Sequence, residues 1–448
     1  MQQRPIGIDL FAGAGGMSLG FEQAGFDIVA AVEIDPVHAA VHKYNFPHCA
    51  VMPRSVVGLS GAEIRRIADI GARPVHVVFG GAPCQGFSMI GQRALDDPRN
   101  RLVREFLQIV ADLKASYFVF ENVKGLTIGK HRAFLDEFIQ CADRLGYAIR
   151  LPWRVLDAAN YCTPQHRERL ILFGARKGLK LPQYPAPQCN AADGRGQKHR
   201  GLPIGPSVQD ALSDLPNADL FQELNLTDEV VTDDWGAPSP YARRLRCLDN
   251  DGWDFGYVRQ WRPLLLTSSA RTDHTAISKR RFAETKPGTV EPISRFFKLR
   301  ANGLSNTLRA GTDGARGAFT SPRPIHYEYN RCVTVREMAR LHGYPDWFRF
   351  NETKWHGARQ IGNSVPPPLA RAIAAEVMAA LSVAPERPFE TVELGSDQLL
   401  RYTVSKAAEH FDIPPPASKR DRKSGTTKRR QQDIEDARLA GIPVARSA

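Results

Sequence analysis

The sequence predicts an α/β protein built on a doubly wound parallel sheet, and three observations carry that reading. Short apolar runs alternate with helical patterns through the first 180 residues, as a parallel sheet with crossover helices requires. Each run ends in glycines, carboxylates or a cysteine, and in such sheets ligands sit at the carboxyl ends of the strands. The regular texture stops near residue 178 and resumes near 334, which marks off a second, less regular unit.

Residues 6–11 form the first apolar run, ending in the glycine-rich AGAGG and followed by the helical pattern MSLGFEQAG. Residues 26–32 form the second, ending at Glu33 and Asp35, and residues 75–79 the third, ending in GGAPC. Residues 117–120 end in ENV, and residues 170–173 end at Gly174. Residues 100–114 and 133–145 read as helices between them. Residues 181–330 are rich in Pro, Gly, Asp and Arg, and their pattern assigns no fold. Order returns with the helical TVREMARLHG and, after an RQIGNSVPPP loop, with residues 369–381. From 383 onward, PPP at 414–416 and KRDRKSGTTKRR at 419–430 read as a flexible basic tail.

Composition bounds the function. Of 448 residues, 42% are hydrophobic, enough for a sizeable core and too many for a disordered chain. No apolar run approaches the roughly 18 residues a membrane span needs, and the start lacks the basic and apolar regions of a secretory signal. The seven cysteines are widely spread with no CxxC pair. That spacing argues against a disulfide framework or a metal site and for a reducing, cytoplasmic setting. The net charge of +12 is uneven: −6 over residues 181–254, +8 over 255–330 and +2 from 384 on. A basic patch is the footprint of a nucleic-acid binder, though also of many idle surfaces.

The chemistry-bearing residues sit at the strand ends. IDLFAGAGG is a strand, a tight turn and a helix start, where glycine permits close backbone approach and the helix offers free N–H groups. Ser18 stands where GxGxxG needs its last glycine, so the turn suits an uncharged or zwitterionic cofactor better than a phosphate. Glu33, about 20 residues on, stands where a carboxylate binds ribose. Asp35, followed by Pro36, reads equally as a helix cap. Cys84 in GGAPCQGFS lies just past a strand on a Gly/Pro turn, which holds a thiol exposed as a nucleophile needs; a cysteine that merely fills the core is the plain alternative. Residues 89–101 could close over a substrate. Glu121 ends an apolar strand, where desolvation raises a carboxyl pKa and suits it to proton donation; a solvated helix-capping Glu is the plain alternative. Gln165, Arg167 and Arg169 alternate with period two on one face, fit for phosphate and base-edge contacts or for a solvated edge.

Together DLFAGAGG, VEID, GGAPCQGFS, ENV, QHRER, TVREMARLHGYP and RQIGNSVPPPLA, in that order, resemble the DNA (cytosine-5)-methyltransferases of bacterial type II modification systems. The resemblance implies a Rossmann-like, S-adenosyl-L-methionine-dependent methyltransferase sheet with a smaller, irregular target-recognition domain. It divides the chain into a catalytic and cofactor-binding part at 1–180, a target-recognition domain at 181–325, a return to the catalytic domain at 326–382 and a tail at 383–448. Cys84 is then the nucleophile toward carbon 6 of a flipped cytosine, Glu121 the proton donor to its nitrogen 3, Arg169 the contact to its oxygen 2, and Arg167 its neighbour. Phe11, Gly13, Gly15, Gly16, Glu33, Ile34, Pro83, Asn363, Ser364 and Val365 are the implied cofactor residues. Gln85, Ser88, Gln165 and Thr307 are the implied DNA contacts, with Thr307–Leu308 resembling the short Thr-Leu signature of target-recognition domains. Ser55 stands where the family usually has an acidic residue for the adenine amino group; a serine oxygen still accepts a hydrogen bond, so cofactor binding is expected to survive, if more weakly.

The partner so implied is double-stranded DNA, met by a cytoplasmic, nucleoid-associated monomer. A cognate restriction endonuclease is a functional partner rather than a physical one. Two other readings are a transfer-RNA cytosine methyltransferase and a non-catalytic DNA-binding regulator. The long basic middle segment weighs against the first, and the presence of both Cys84 and Glu121 against the second.

Overall fold

The computed structural model describes residues 4–83, 101–127, 132–312 and 322–415. Its centre is an eight-stranded sheet. Strands β1 (Ile6–Leu10), β2 (Asp27–Val32), β3 (Ala50–Met52), β4 (Val77–Gly80) and β5 (Tyr117–Val123) are mutually parallel and lie in the order β3-β2-β1-β4-β5. Helices α1 (Gly16–Gln23), α2 (Pro36–Asn45), α3 (Gly61–Ile67), α4 (Arg101–Asp112) and α5 (Arg132–Arg144) connect or flank them. The second α-helix starts where Asp35 caps it, its side chain accepting from the N–H groups of Val37 and His38, with Pro36 at the first helical position. Asp35 is thus the helix cap that the Asp-Pro pair suggests.

The sheet departs from the all-parallel expectation beyond β5. Strand β8 (Glu168–Arg176) pairs antiparallel with β5, and β6 (Tyr147–Ile149) and β7 (Arg154–Asp157) pair antiparallel with β8 along its other edge. A parallel pair needs a long crossover, usually helical. No α-helix lies between β6 and β8, so the chain folds back on itself instead.

Side chains alternate across the sheet, as two covered faces demand. Along β5, Phe118 and Phe120 join Phe106 and Phe138 in one core, whereas Tyr117 and Val119 join Phe21, Phe79 and Phe173 in the other. The second face is covered by α1, by the helix Val335–His342 and by the helix Pro367–Leu381, whose buried residues belong to the same core. Thr334 and Glu337 form a reciprocal capping box on the former, and Gly343 closes it in the left-handed conformation. The segment expected as a loop at RQIGN is helical instead: residues 359–363 are the last turns of the helix Lys354–Asn363.

The middle segment, which the pattern left unassigned, carries short elements. Strands β9 (Val230–Val231) and β11 (Leu265–Leu266) pair antiparallel. Much of it is bound to the core rather than standing apart. Val208, Ala211, Leu212, Leu266 and Leu308 are buried with the residues of the helix Val335–His342. Buried Arg340 accordingly makes paired contacts with both Asp346 (2.6 and 2.7 Å) and Asp214 (3.0 and 3.3 Å).

The expected flexible tail from 383 onward is a second correction. Strand β12 (Thr391–Glu393) pairs parallel with β10 (Val258–Gln260). Leu399 and Leu400 are buried against Ala40, Val41 and Tyr44 of α2. The apolar side chains of this stretch cover an otherwise open helix face, and that burial holds it. The basic run at 419–430 lies outside the described residues.

A third correction concerns Gln165. Its face of the QHRER segment points inward: Gln165 is fully buried and Arg167 is 1% exposed. The Gln165 amide donates to His342 Nδ1 (2.9 Å) and its oxygen accepts from the Leu308 N–H (3.1 Å). It is therefore an internal tie rather than a DNA contact. A side chain with both ends engaged inside the protein has nothing left for a ligand.

Two stability measurements check these corrections. Leu400→Ala is expected to cost about 2–5 kcal/mol in urea denaturation, as for a core leucine, where a solvated tail residue would cost nothing measurable. Gln165→Ala is expected to cost about 1–3 kcal/mol by leaving buried polar groups unpaired, where a surface contact would leave stability unchanged.

Candidate active site

The ends of β1, β2, β4 and β5 and the start of β8 meet at one sheet edge around a cavity of about 780 Å³. Because β8 runs antiparallel, it begins where β5 ends, with Val123 opposite Arg169. Diagonal neighbours on one sheet face are within reach of long side chains, and Arg169 Nε lies 2.7 Å from Glu121 Oε1. The strand reversal thus creates the pair that an all-parallel sheet would not.

Glu121 lies against the turn after β4. A Cβ on Gly81 would overlap its carboxylate, so only glycine leaves room there. Burial raises the Glu121 pKa, with Arg169 and then Arg167 pulling it down. Asn122, also buried, donates from Nδ2 to the Ala82 carbonyl (3.1 Å) and ties the end of β5 to the same turn. That turn runs through Pro83, which lines the cavity, to Cys84. Cys84, Gln85, Ser88 and the stretch 89–100 lie outside the described residues.

The first glycine turn forms the opposite wall. Phe11 adopts a left-handed conformation (φ 66°) at the end of β1 and lines the cavity with Gly13, Gly16, Glu33 and Ile34. Gly13 (φ 55°) has open space where a Cβ would stand and donates its N–H to Glu33 Oε2 (2.8 Å). The other Glu33 oxygen accepts from the Asp35 N–H (2.8 Å). Gly15 faces away, toward Phe46 and His42, and serves the packing of the turn. Gly16 lies so close to Ser364 and Val365 that a Cβ would come within 2.7 Å of the Val365 carbonyl. Asn363, Ser364 and Val365 accordingly complete the wall.

The near end of the middle segment closes the cavity. Thr307, Leu308 and Arg309 line it, and the Thr307 hydroxyl donates to the His166 carbonyl (2.8 Å). Arg167 lines it too, but its guanidinium is committed to the carbonyls of Leu308 (2.9 Å) and Gly362 (2.7 Å). Ser55 lines the cavity, its hydroxyl oxygen accepting from the Val57 N–H (3.1 Å).

Sequence reasoning passed over Asp9, His342 and Asn122. Asp9 lines the cavity from inside the first strand, takes a hydrogen bond from the Ser18 hydroxyl (2.6 Å), and is pushed up to about 8 by burial. Its signal was a carboxylate placed within an apolar strand. His342 is buried between Gln165 and Ser364, with Nε2 3.1 Å from the Ser364 hydroxyl; burial and the nearby Arg167 keep it neutral. Glu33, like Asp9, has its pKa raised by burial. Neither is paired with a lysine or arginine among the described residues. A ligand bearing positive charge would offset that burial and favour the ionised form of both carboxylates.

Among the described residues, no helix is long and apolar enough to cross a membrane. Comparison with known proteins gives the family. The family model for C-5 cytosine-specific DNA methylases matches residues 7–379. The chain is 58% identical over 410 residues to the type II methyltransferase M.XorII of Xanthomonas oryzae, covering 92% of this chain and 93% of that protein. It is 32% identical to the type II methyltransferase M1.HphI of Haemophilus parahaemolyticus, covering 83% and 86%. A solved E. coli structure, described as a candidate DNA modification methyltransferase encoded within a prophage, aligns with TM-score 0.64 and 30% identity over 85% of this chain and all of that one. The chain belongs to the C-5 cytosine-specific DNA methylases, and is a DNA cytosine-5 methyltransferase.

Proposed function

We propose that this methyltransferase modifies one cytosine, flipped out of a short duplex DNA site, as the modification half of a type II restriction–modification pair. The observation that supports this best is the Glu121–Arg169 pair, half-buried at the cavity edge against the turn that precedes Cys84 in sequence. When bound, S-adenosyl-L-methionine supplies the electrophilic methyl group for carbon 5. Asp9 and Glu33 fit its positive charge and ribose, Phe11 its adenine, and Gly13, Asn363, Ser364 and Val365 the remaining wall.

The chain's own residues do the rest. The Cys84 thiolate adds to carbon 6 of the flipped base as Glu121 delivers a proton to nitrogen 3, so that carbon 5 becomes nucleophilic. Burial keeps the Glu121 proton available nearer neutral pH than an exposed carboxyl would. Arg169 holds Glu121 and reaches oxygen 2 of the base, while Arg167 fixes the surrounding backbone. Once carbon 5 carries the methyl group, with S-adenosylhomocysteine as the other product, its proton passes to solvent, the Cys84 thiolate is expelled, and nitrogen 3 returns its proton to Glu121, releasing 5-methylcytosine. Thr307, with its hydroxyl already donated to His166, acts at the rim through its position.

Sequencing of methylated DNA after expression in a methylation-free host should find 5-methylcytosine at one fixed short site. Duplex DNA carrying 5-fluorocytosine at that position should then form a stable covalent adduct with the wild-type protein and none with Cys84→Ser. Absence of an adduct on the modified site would overturn the mechanism, and trapping on RNA alone would move the substrate to RNA. Glu121→Gln keeps the size of the side chain but withholds the proton. It should lower the methylation rate about 10²–10⁴-fold in single-turnover measurements, with DNA affinity within a few-fold of wild type.

A further inference from the structure

Next to Arg167, outside the cavity, His166 makes contacts the reaction does not use. Its Nδ1 lies 2.7 Å from Asp157 Oδ2 and its Nε2 lies 3.2 Å from both oxygens of Asp193. Carboxylates only accept, so both ring nitrogens must carry hydrogen and the ring is an imidazolium. The hydrogen bond to Asp157 is the largest influence raising its pKa. Asp157 is itself anchored, accepting from the N–H groups of Arg167 (2.9 Å) and Ala159 (3.2 Å). The salt bridge therefore runs from the end of β7, through QHRER, to a loop of the middle segment.

That loop is a closed unit. Asn190 fastens its two ends: the Asn190 N–H donates to the Pro203 carbonyl and the Gly205 N–H donates back to Asn190. The Asn190 side chain accepts from the His199 N–H (2.7 Å) and donates to the carbonyls of His199 and Leu202 (3.0 Å each). Between these anchors the sequence GRGQKHR (194–200) holds three cations, Arg195, Lys198 and Arg200, and no acid. All three are exposed, and the Arg195 side chain is 81% exposed. Asp193 is the one acid at the base of the loop; His166 engages it, and Arg195 touches it through its backbone N–H (3.1 Å) and, loosely, its Nε (3.7 Å), leaving most of the Arg195 guanidinium in solvent. The result is a loop fastened at both ends, bearing three exposed positive charges and rooted one residue from Arg167 and three from Arg169.

We infer that the loop 193–200 clamps the phosphate backbone of duplex DNA beside the reacting base, and that the His166–Asp193 salt bridge latches it in position. This rests on the DNA methyltransferase reading above and names residues for it. Long cations on a glycine-containing loop suit phosphate oxygens, which set register without reading sequence. The latch places them next to the strand that carries Arg169, so backbone contact and base contact are aligned by one segment, residues 166–169. His166 and Asp193 are positioning residues.

The test is the salt dependence of binding to a short duplex cut from around a modified cytosine. Each lost phosphate contact flattens the log–log slope by about 0.9. The triple variant Arg195→Gln/Lys198→Gln/Arg200→Gln should flatten it by up to about 2.7. An equal charge change at the far end of β8, Arg176→Gln/Lys177→Gln/Lys180→Gln, should leave it near the wild-type value. Asp193→Ala discriminates further. It adds positive charge overall, so charge alone would tighten DNA binding; loss of the latch should instead weaken binding and flatten the slope. An unchanged slope in the first triple variant overturns the clamp, and tighter binding by Asp193→Ala overturns the latch. Wild-type methylation of the same duplex, measured in parallel, separates these outcomes from a failure of the methyltransferase reading itself.

Discussion

The buried guanidinium of Arg167 is the constraint on which the site depends. It lies inside the protein and donates from its two terminal nitrogens to the carbonyls of Leu308 and Gly362, two segments more than 140 residues further along the chain. Taking an arginine out of water is costly unless its donors are met, so those two segments are held where the guanidinium needs them. Gln165 and His342 extend the tie, linking Leu308 to Ser364 through the imidazole. Three walls of the cavity, at 307–309, at 363–365 and at 167–169, are thereby fixed to one another by the protein's own hydrogen bonds.

The reversal of β8 complements this. It brings the start of one strand beside the end of another, and so a cation beside a carboxylate at the sheet edge where ligands gather. The same reversal sends the chain from the site directly into the middle segment at residue 177. The middle segment thus leaves from the strand carrying Arg169, and returns to it through the Thr307 hydroxyl bond to the His166 carbonyl and the buried side chain of Leu308.

Much of this was legible in the sequence, for identifiable reasons. The four parallel strands ending at Leu10, Val32, Gly80 and Val123 were marked by apolar runs closed by glycines or carboxylates, and residue types at such ends speak for themselves. Direction was not legible: an apolar run has no sign, and only the missing helix between β6 and β8 distinguishes antiparallel from parallel. Strands of three or four residues, such as β3 and β6, give too short a pattern. Period two placed Gln165, Arg167 and Arg169 on a common face correctly, but periodicity does not say whether that face looks at solvent or at protein. For a basic segment, solvent was the natural choice, and the backbone carbonyls that overturn it are invisible in any one stretch of sequence. Likewise residues 383–415 sit in charged, proline-containing sequence, and their partner, the open face of α2, lies some 350 residues earlier.

That last pairing bears on how the molecule comes into being on the ribosome. Strand β10 at 258–260 completes its hydrogen bonding only with β12 at 391–393, and the Leu308–Gln165–His342 tie closes only once residue 342 has emerged. The nucleotide-sheet half, by contrast, contains its own partners within the first 176 residues. During synthesis from the N-terminus, the strand pairings of the sheet can form early while the middle segment waits for nearly the whole described chain. A nascent polypeptide therefore carries the strand ends of the cavity long before residues 342 and 391–393 emerge to hold the segments around them in place.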